Sequence, residues 1–181
     1  MEIKKNNKCV KIQLPNGKVV DVLSSVIDEI NKWIQVGNNM PESGGYIVGY
    51  EHKKSGHISL EAISHPYTFD SKNRIQFDIR DPRHNMFLKK ARRRKSYYMG
   101  VWHTHPQADP TPSSIDWEDW RATMQSDKTG SQYIFFIIAG TAIWRIWIGD
   151  FNTGRIVEGF ECAKNTDGIY IKEGDMNEKD N

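Results

Sequence analysis

The sequence predicts one α/β or α+β domain, and three observations support this prediction. A length of 181 residues is typical of a single domain. Short runs rich in β-branched and aromatic residues alternate with stretches whose apolar residues recur at helical spacing, and no repeat or linker divides the chain. Hydrophobic residues make up 38% and charged residues 27% of the chain, a composition that supports a core and does not indicate disorder.

The first half of the chain is predicted to contain a hairpin, a helix and three strands. In KCVKIQLPNGKVVDVL the pair Asn16-Gly17 marks the bend of a β-hairpin, since both turn positions need a positive φ. Ser24 and Ser25 are candidate caps for a helix over residues 26–36, where apolar side chains recur on one face. The three predicted strands are GGYIVGYEH, HISLEAISH and RIQFDIR.

The second half is predicted to mix helices and strands. Asp81 at the cap and Pro82 at the first position open a helix in DPRHNMFLKKARRRK. YYMGVWHTH is a predicted strand and SSIDWEDWRATMQ a predicted helix. Two strands follow around Gly140, YIFFIIAG and TAIWRIWIGD, with a further strand near residues 155–162. The polar end KEGDMNEKDN is predicted to fray.

Composition and charge argue against several classes of protein. The net charge of +2 does not by itself indicate a nucleic-acid partner. The two cysteines, Cys9 and Cys162, are far apart, so neither a disulfide framework nor a cysteine-based zinc cluster is expected. The N-terminus lacks the apolar core of a secretory signal, and no run approaches the roughly 18 apolar residues of a membrane span. We therefore expect a cytoplasmic protein with no membrane partner.

The stretch GVWHTHPQADPTPSSID carries residues with metal-binding chemistry. On a strand, residues two apart share a face, so His103 and His105 point the same way. Pro106 ends the strand, and Ser113 or Ser114 then starts a helix that holds Asp116 in its first turn. Two imidazoles and a returning carboxylate are three ligands for Zn²⁺, which leave the fourth position open as in catalytic zinc sites.

A hydrolytic zinc site also needs a base and a donor to the oxyanion. Glu42 is the candidate base, because Gly44 and Gly45 follow it and would let backbone and substrate approach the metal. Ser113 is the candidate donor. The competing carboxylates, Glu51 and Glu61, both fall inside predicted strands.

Together these residues resemble the JAMM motif of the MPN+ zinc isopeptidases, whose bacterial branch is the prokaryotic JAB domain. The motif is a Glu, then His-x-His, ten residues and Asp, matched here by Glu42, His103, His105 and Asp116. The resemblance covers residues 24–163 and implies a JAB/MPN fold, cytidine-deaminase-like, with a mixed curved sheet flanked by helices. Residues 1–23 would then be a hairpin that belongs to the domain or is appended to it, and residues 164–181 a polar tail.

The family also implies roles for these positions. His103, His105 and Asp116 would hold Zn²⁺, Glu42 would move the proton from water to the leaving amine, and Ser113 would steady the tetrahedral intermediate. The reaction would be hydrolysis of the amide after the C-terminus of a ubiquitin-like protein, or of a protein conjugated in that way. The pattern is most similar to the JAB peptidases of CBASS-type antiphage operons, which accompany E1- and E2-like conjugating enzymes and act on a cGAS-like nucleotidyltransferase. The alternative is a non-catalytic MPN-type scaffold, which the complete motif disfavours.

Several other features leave their roles open. Residues 89–95, KKARRRK, carry six positive charges, which fit either a solvated helix end or a contact with an acidic partner. Residues 66–82 are a candidate insertion that clamps the substrate. Asp109 is predicted to be a turn residue. Four histidines lack ligand partners at an informative spacing and are expected at the surface or in the core: His52, His57, His65 and His84.

Overall fold

The structure, a computed structural model, describes residues 9–37 and 39–173 and centres on an eight-stranded mixed sheet. The strands of this sheet are, side by side, β1 (Cys9–Gln13), β2 (Val19–Leu23), β4 (Ile58–Ile63), β3 (Gly44–Glu51), β7 (Tyr97–Thr104), β8 (Tyr133–Ala139), β9 (Trp144–Asp150) and β10 (Arg155–Gly159). Two small hairpins pair β5 (Ser71–Asn73) with β6 (Gln76–Asp78) and β11 (Cys162–Lys164) with β12 (Tyr170–Lys172). The helices are α1 (Ser24–Asn31), α2 (Pro82–Arg93) and α3 (Ser114–Ser126). Within these described residues no helix is long and apolar enough to cross a membrane.

The connection from β7 to β8 determines where chemistry can occur. These neighbouring strands are parallel, so the chain must cross from the end of one to the start of the other, and α3 makes this crossover. The loop between β7 and α3 therefore lies at the C-terminal end of β7. The two predicted metal-binding histidines lie at this end of β7 and the predicted aspartate in the first turn of α3.

The sheet curves until its two edges meet. Ile12 in β1 forms an isolated antiparallel bridge with Glu161, which follows β10, and the Gln13 amide donates to the Phe160 carbonyl over 3.3 Å. Curvature of this kind covers strand edges that would otherwise expose unpaired backbone groups. The mixed curved sheet flanked by helices that the sequence predicted is confirmed.

Both faces of the sheet are buried under helices. On one face α1 packs Val26 and Ile30 into the larger hydrophobic cluster, which includes Leu60 and Phe135. On the other face Trp120 of α3 stacks on Phe136 with ring centroids 4.7 Å apart. All seven residues of β8 are buried, as a strand covered on both faces requires.

A β-bulge in β7 sets which side chains face α3. The register shifts between Ile47 and Val48, which pair with Gly100 and Tyr98, so Met99 is an extra residue. Gly100 has a φ of +150°, and a Cβ there would lie 1.8 Å from the Phe135 carbonyl oxygen. Since the bulge resets the alternation, Tyr98 and His103 line the same groove beside α3 although they are five positions apart.

Several predicted element boundaries are confirmed and one is wrong. The N-terminal hairpin is confirmed, but only Gly17 of its predicted turn pair has a positive φ, +79°, so the expectation of a positive φ at Asn16 is wrong. The Asp81 cap of α2 is confirmed, with the Asp81 side chain accepting from the Arg83 amide. The predicted helix over 26–36 instead begins at Ser24 and ends at Asn31, and no side chain caps it. The reason is that β2 runs directly into α1, so Leu23 occupies the cap position.

Two predicted segments take other forms. The predicted strand RIQFDIR contributes only β6 to the small hairpin β5–β6. The predicted polar tail, residues 164–181, includes β12, which pairs with β11. The N-terminal hairpin pairs with β4 of the main sheet. Residues 1–8 and 174–181 of the predicted segments lie outside the described residues.

We expect Gly100→Ala to lower the free energy of unfolding by about 3 kcal/mol, since it adds a backbone clash to a strained φ. Gly154→Ala is the matched control, because Gly154 also has a positive φ, +68°, but no atom within 4 Å of its added Cβ. That variant should lose only about 1 kcal/mol. Urea unfolding measures both. Equal losses of stability in the two variants would mean that the backbone at Phe135 moves at little cost to accept the added Cβ at position 100.

Candidate active site

Two histidines meet at the C-terminal end of β7. His103 lies on the strand and His105 directly follows it, and their Nε2 atoms are 3.0 Å apart. The His105 amide donates to the Ala139 carbonyl, so the chain stays paired with β8 up to this point. His105 is buried, whereas His103 is partly exposed. Both imidazoles therefore present one nitrogen to the same spot.

Asp116 completes the cluster from the first turn of α3. Its Oδ1 lies 3.0 Å from His103 Nε2, and its Oδ2 lies 3.4 Å from His105 Nε2. The carboxylate is held by a capping box, in which the Ser113 amide and hydroxyl donate to Oδ2 over 2.6 and 2.7 Å. The crossover helix thus fixes the aspartate before any ligand binds.

The spacing of these three residues fits a tetrahedral metal ion. With bonds of about 2.0–2.1 Å, ligand atoms around such an ion lie about 3.3 Å from one another. His103 Nε2 lies 3.0 Å from both His105 Nε2 and Asp116 Oδ1, close to that value, and the 3.4 Å contact with His105 Nε2 is made by the other carboxylate oxygen, Asp116 Oδ2. Two imidazoles and one carboxylate are also a donor set that transition metals favour. The cluster can therefore hold a metal ion and leave one coordination position open.

Glu42 lies next to the cluster and is the competing third ligand. Its Oε1 is 3.8 Å from His105 Nε2, and atoms of Glu42, His103 and His105 all lie within 4.8 Å of one another. The Asp116 oxygens are closer to both imidazoles than Glu42 is, so Asp116 stays the predicted ligand and Glu42 the predicted base.

Burial dominates the electrostatics of Glu42. Its side chain is only 4% exposed, and this desolvation raises the pKa to about 8. The His105 imidazole lowers the pKa, and the Asp116 carboxylate raises it further. A carboxyl group with a pKa near neutrality can both accept and release a proton under physiological conditions.

The pKa values of Asp116 and His105 are both shifted in favour of the charged form. Burial opposes ionisation of Asp116, but hydrogen bonds from His103 and His105 hold its pKa far below the usual range. Burial also opposes protonation of His105, and the Asp116 and Glu42 carboxylates outweigh it, so its pKa is raised. The Nδ1 atom of His105 contacts Gln107 Oε1 at 3.3 Å, which orients the ring so that Nε2 faces His103 and Asp116.

A buried polar network positions the segment that carries Glu42. The Ser43 amide donates to Thr104 Oγ1 over 3.0 Å, the Thr104 amide donates to the Ser43 carbonyl, and the Glu42 amide donates to Asn73. Gln35, which is 1% exposed, accepts from the Thr104 hydroxyl and donates to the Met40 carbonyl. These links join the segment to β7, to the β5–β6 hairpin and, through Gln35, to the chain that follows α1.

Ser113 bonds to the Asp116 carboxylate, a contact that the sequence did not predict. It is the N-cap of α3, and its hydroxyl exchanges hydrogen bonds with Asp116. Of the two serines that the sequence offered as the helix start, Ser113 is the cap and Ser114 is the first residue inside the helix. The geometry therefore assigns Ser113 to positioning Asp116, and its predicted contact with the oxyanion stays a prediction.

A groove of about 380 Å³ leads away from the cluster between α3 and the β5–β6 hairpin. The hairpin forms one wall with Ile75 and Phe77, so the candidate insertion at 66–82 does face the site. Trp120 contributes to the opposite wall while its ring packs into the core. At the far end the Tyr98 hydroxyl donates to Asp127 over 2.9 Å. The groove is long enough for an extended peptide.

The glycines after Glu42 serve packing within the protein. A Cβ on Gly44 would lie 2.6 Å from Phe77 Cδ1, and one on Gly45 would lie 2.3 Å from the Ser64 carbonyl. The expectation that these glycines make room for substrate is therefore wrong. They let the β5–β6 hairpin and the segment after β4 close against β3.

The remaining candidates lie outside the cluster. Glu51 is exposed at the opposite end of β3 from Gly44, and Glu61 lies within β4. Asp109 accepts from Arg145 over 3.3 Å, as a surface turn residue does. The other four histidines have local contacts: His52 with Ser59, His57 with the Val19 amide, His65 stacked on Trp33, and His84 with Asp70.

The contacts of His84 form a chain that is similar to a hydrolase triad but is sealed in the core. Ser64 Oγ lies 2.7 Å from His84 Nδ1, and Asp70 Oδ2 lies 2.9 Å from His84 Nε2. Ser64 is fully buried, so no substrate reaches its hydroxyl. The Tyr46 amide donates to the same hydroxyl. This network attaches the candidate insertion to β3 close to Glu42.

We expect Thr104→Val to lower the free energy of unfolding by about 1–3 kcal/mol, since the buried Ser43 amide would lose its acceptor. Urea unfolding measures the loss. Thr166→Val, at an exposed threonine, is the control and should change stability by less than about 0.5 kcal/mol. Thr104→Ser should recover most of the loss because it restores the hydroxyl. If Thr104→Val and Thr166→Val behave alike, the network does not hold this segment.

One solved structure and two named proteins are similar to this chain. The solution structure of protein DSY2949 from Desulfitobacterium hafniense has a TM-score of 0.52 at 16% identity and covers 76% of this chain and 87% of its own, which shows the fold alone. A protein named CD-NTase/cGAS isopeptidase from Vibrio cholerae serotype O1 is 30% identical over 114 residues, 61% of this chain and 72% of its own. A protein of the same name from Escherichia coli is 28% identical over 133 residues, 72% of this chain and 80% of its own.

The match to a protein family covers most of the chain. Residues 24–148 match the family described as prokaryotic homologs of the JAB domain. This stretch contains Glu42, both histidines of the cluster and Asp116. The chain therefore belongs to the prokaryotic JAB family, as the motif in its sequence predicted.

Proposed function

We propose that this protein is a zinc-dependent isopeptidase that cleaves the amide joining the C-terminus of a cGAS-like nucleotidyltransferase (CD-NTase) to another group. The observation that carries the proposal is the convergence of His103, His105 and Asp116 beside the buried Glu42 at the end of a groove. The named activity of the Vibrio cholerae and Escherichia coli relatives supports the nucleotidyltransferase as the conjugated protein.

Zinc fits the donor set better than other common ions. His103, His105 and Asp116 would hold it, because two imidazoles with one carboxylate suit zinc, whereas calcium and magnesium prefer oxygen ligands. When bound, zinc would act as a Lewis acid that polarises the scissile carbonyl and lowers the pKa of water towards neutrality. The capping box keeps Asp116 in place, so the ligands need little rearrangement.

Glu42 would move the proton that hydrolysis requires. Its carboxylate takes a proton from water as the water oxygen bonds to the carbonyl carbon. The same carboxyl group then gives the proton to the leaving nitrogen as the C–N bond breaks, which yields a free carboxylic acid and a free amine. Burial favours both steps by keeping the pKa of Glu42 near neutrality. Ser113, which touches Asp116 in this structure, would donate to the oxyanion only after its hydroxyl turns.

The groove supports an extended C-terminal tail as substrate. Its walls, α3 and the β5–β6 hairpin, leave a channel that ends at the cluster. Strand β6 offers backbone groups to which an extended peptide can pair. A ubiquitin-like tail satisfies the same geometry and is the alternative substrate. E1- and E2-like enzymes would make such a conjugate in the cytoplasm and are the partners that we propose for the same pathway.

A non-catalytic scaffold is the second candidate function. A scaffold needs the fold but has no use for metal ligands or a buried base. Here Asp116, both histidines and Glu42 are all present and close to one another, and a buried network positions Glu42. These observations favour the enzyme.

We expect purified wild-type protein to contain about one zinc per chain by elemental analysis. His103→Ala and Asp116→Asn should lose most of it, since two ligands hold zinc weakly. Asparagine is chosen because its amide oxygen can still accept from Ser113 and cap α3. His52→Ala is the control and should retain zinc. Zinc absent from the wild type, even after refolding with the metal, would favour the scaffold.

Glu42→Gln should keep its zinc and lower kcat by at least about 100-fold, since the amide cannot carry the proton. The substrate is a CD-NTase joined through its C-terminus to the side chain of a lysine in a reporter peptide. Glu51→Gln is the control, because it removes an exposed carboxylate at the far end of β3 and should leave kcat unchanged. If Glu42→Gln loses zinc together with activity, Glu42 is a ligand.

A further inference from the structure

The end of α2 carries an exposed group of positive charges, which we call the basic patch: Lys89, Lys90, Arg92, Arg93, Arg94, Lys95 and, from the loop after α3, Lys128. Among the residues that the structure describes, no carboxylate lies within 4.0 Å of any of these cationic groups. Elsewhere on the surface, pairing is common, as with Arg83 and Asp81. A helix dipole explains cations in the last turn of α2. It does not explain Lys128, which belongs to a different element.

The basic patch is concave. Lys89, Arg92 and Lys128 line a cleft of about 440 Å³ together with Tyr97, and the Tyr97 side chain is 42% exposed. Cations from two elements thus converge across a depression with an aromatic side chain at its edge. Arginine and tyrosine are enriched where proteins bind other proteins, since both supply contact area and hydrogen bonds.

The cleft continues the groove of the candidate active site. Tyr98 lines both depressions, and Asp127 at the end of the groove is followed directly by Lys128 in the cleft. Along α3, the eleven residue steps from Asp116 to Asp127 span about 16 Å. An extended peptide covers this distance with about five residues. A tail whose scissile bond lies at the cluster would therefore bring the folded body of its protein over the basic patch.

We propose that the basic patch docks the folded body of the conjugated protein, and that this body presents carboxylates around the root of its C-terminal tail. The inference rests on the proposed function, because the groove fixes which part of the substrate arrives at the cleft. Complementary charge at this position raises the rate of encounter and selects the partner. The tail then supplies the bond to be cleaved, and the body supplies recognition.

A protein fits the observations better than a nucleic acid. The patch adjoins a groove that leads to a hydrolytic site for amides, and an acidic protein body can occupy both at once. The net charge of the whole chain is only +2, so the positive field is confined to this region. Met86, 54% exposed on α2, adds an apolar contact of the kind found in protein interfaces.

The test compares two substrates that share one tail. The first probe is the last six residues of a CD-NTase coupled to aminocoumarin, and the second is the whole CD-NTase joined through its C-terminus to a lysine of a reporter peptide. The variant Lys89→Gln/Arg92→Gln/Lys128→Gln removes three charges from the cleft. The matched control, Arg155→Gln/Lys164→Gln/Lys172→Gln, removes three exposed charges from β10, β11 and β12.

We expect the cleft variant to lose about tenfold in kcat/KM on the whole-protein conjugate, mostly through KM, and to cleave the peptide like the wild type. Added salt should slow the wild type on the conjugate and leave the cleft variant little changed, because the effect is electrostatic. The control variant should stay within about twofold of the wild type on both probes.

Three results would overturn the proposal while the wild type still cleaves. Equal rates of the cleft variant and the wild type on the conjugate would exclude docking. Equal losses on peptide and conjugate would mean that the charges support the site itself. Binding of a 20-base-pair DNA duplex that is lost in the cleft variant, with conjugate cleavage unchanged, would make the patch a nucleic-acid surface. Failure of the wild type on both probes would instead reject the proposed isopeptidase function, and the docking with it.

Discussion

The pairing of β3 with β7 is the constraint on which the site depends. Its register sets Gly44 opposite His103, so the segment before β3 arrives beside the histidines. Two backbone groups of Ser43 then bond to Thr104, the residue between the two histidines. Thr104 points into the protein while His103 points out. The end of β7 therefore holds the segment that carries Glu42 on its buried side and presents the imidazoles on its other side.

The crossover helix α3 provides a second constraint, because it holds Asp116 in place. The Asp116 carboxylate satisfies backbone and side-chain donors of Ser113 and also faces both imidazoles. A capping interaction of this kind contributes about 1 kcal/mol to helix stability. The Asp116 carboxylate both caps α3 and faces the two imidazoles. The cluster therefore keeps its geometry as long as the first turn of α3 is intact. The negative charge of Asp116 is also favourable at the helix N-terminus.

Much of this arrangement was predictable because its signals are local. A His-x-His pair on a strand shares a face, and an aspartate three residues after a serine is a helix-start pattern, so His103, His105 and Asp116 could be grouped from spacing alone. Glu42 needed the family motif, because nothing near it in the chain reveals that its segment lies beside β7.

Other features could not be predicted because they depend on distant contacts. Gln35 reads as a helical surface residue, yet α1 ends before it and its amide turns inward to Thr104. The closure of the sheet through Ile12 and Glu161 joins residues that are far apart in the chain. Likewise, Tyr98 lines both the groove and the cleft of the basic patch, whose other residues come from separate segments of the chain.

The bulge at Gly100 constrains the number of residues in β7 more strictly than their identities. Tyr98 and His103 lie along one groove only because a single extra residue, Met99, resets the alternation between them. Deletion of Met99 would leave Tyr98 and His103 chemically unaltered, but one of these two side chains would then point into the core instead of into the groove. In this stretch, evolution can exchange residues more freely than it can add or remove them.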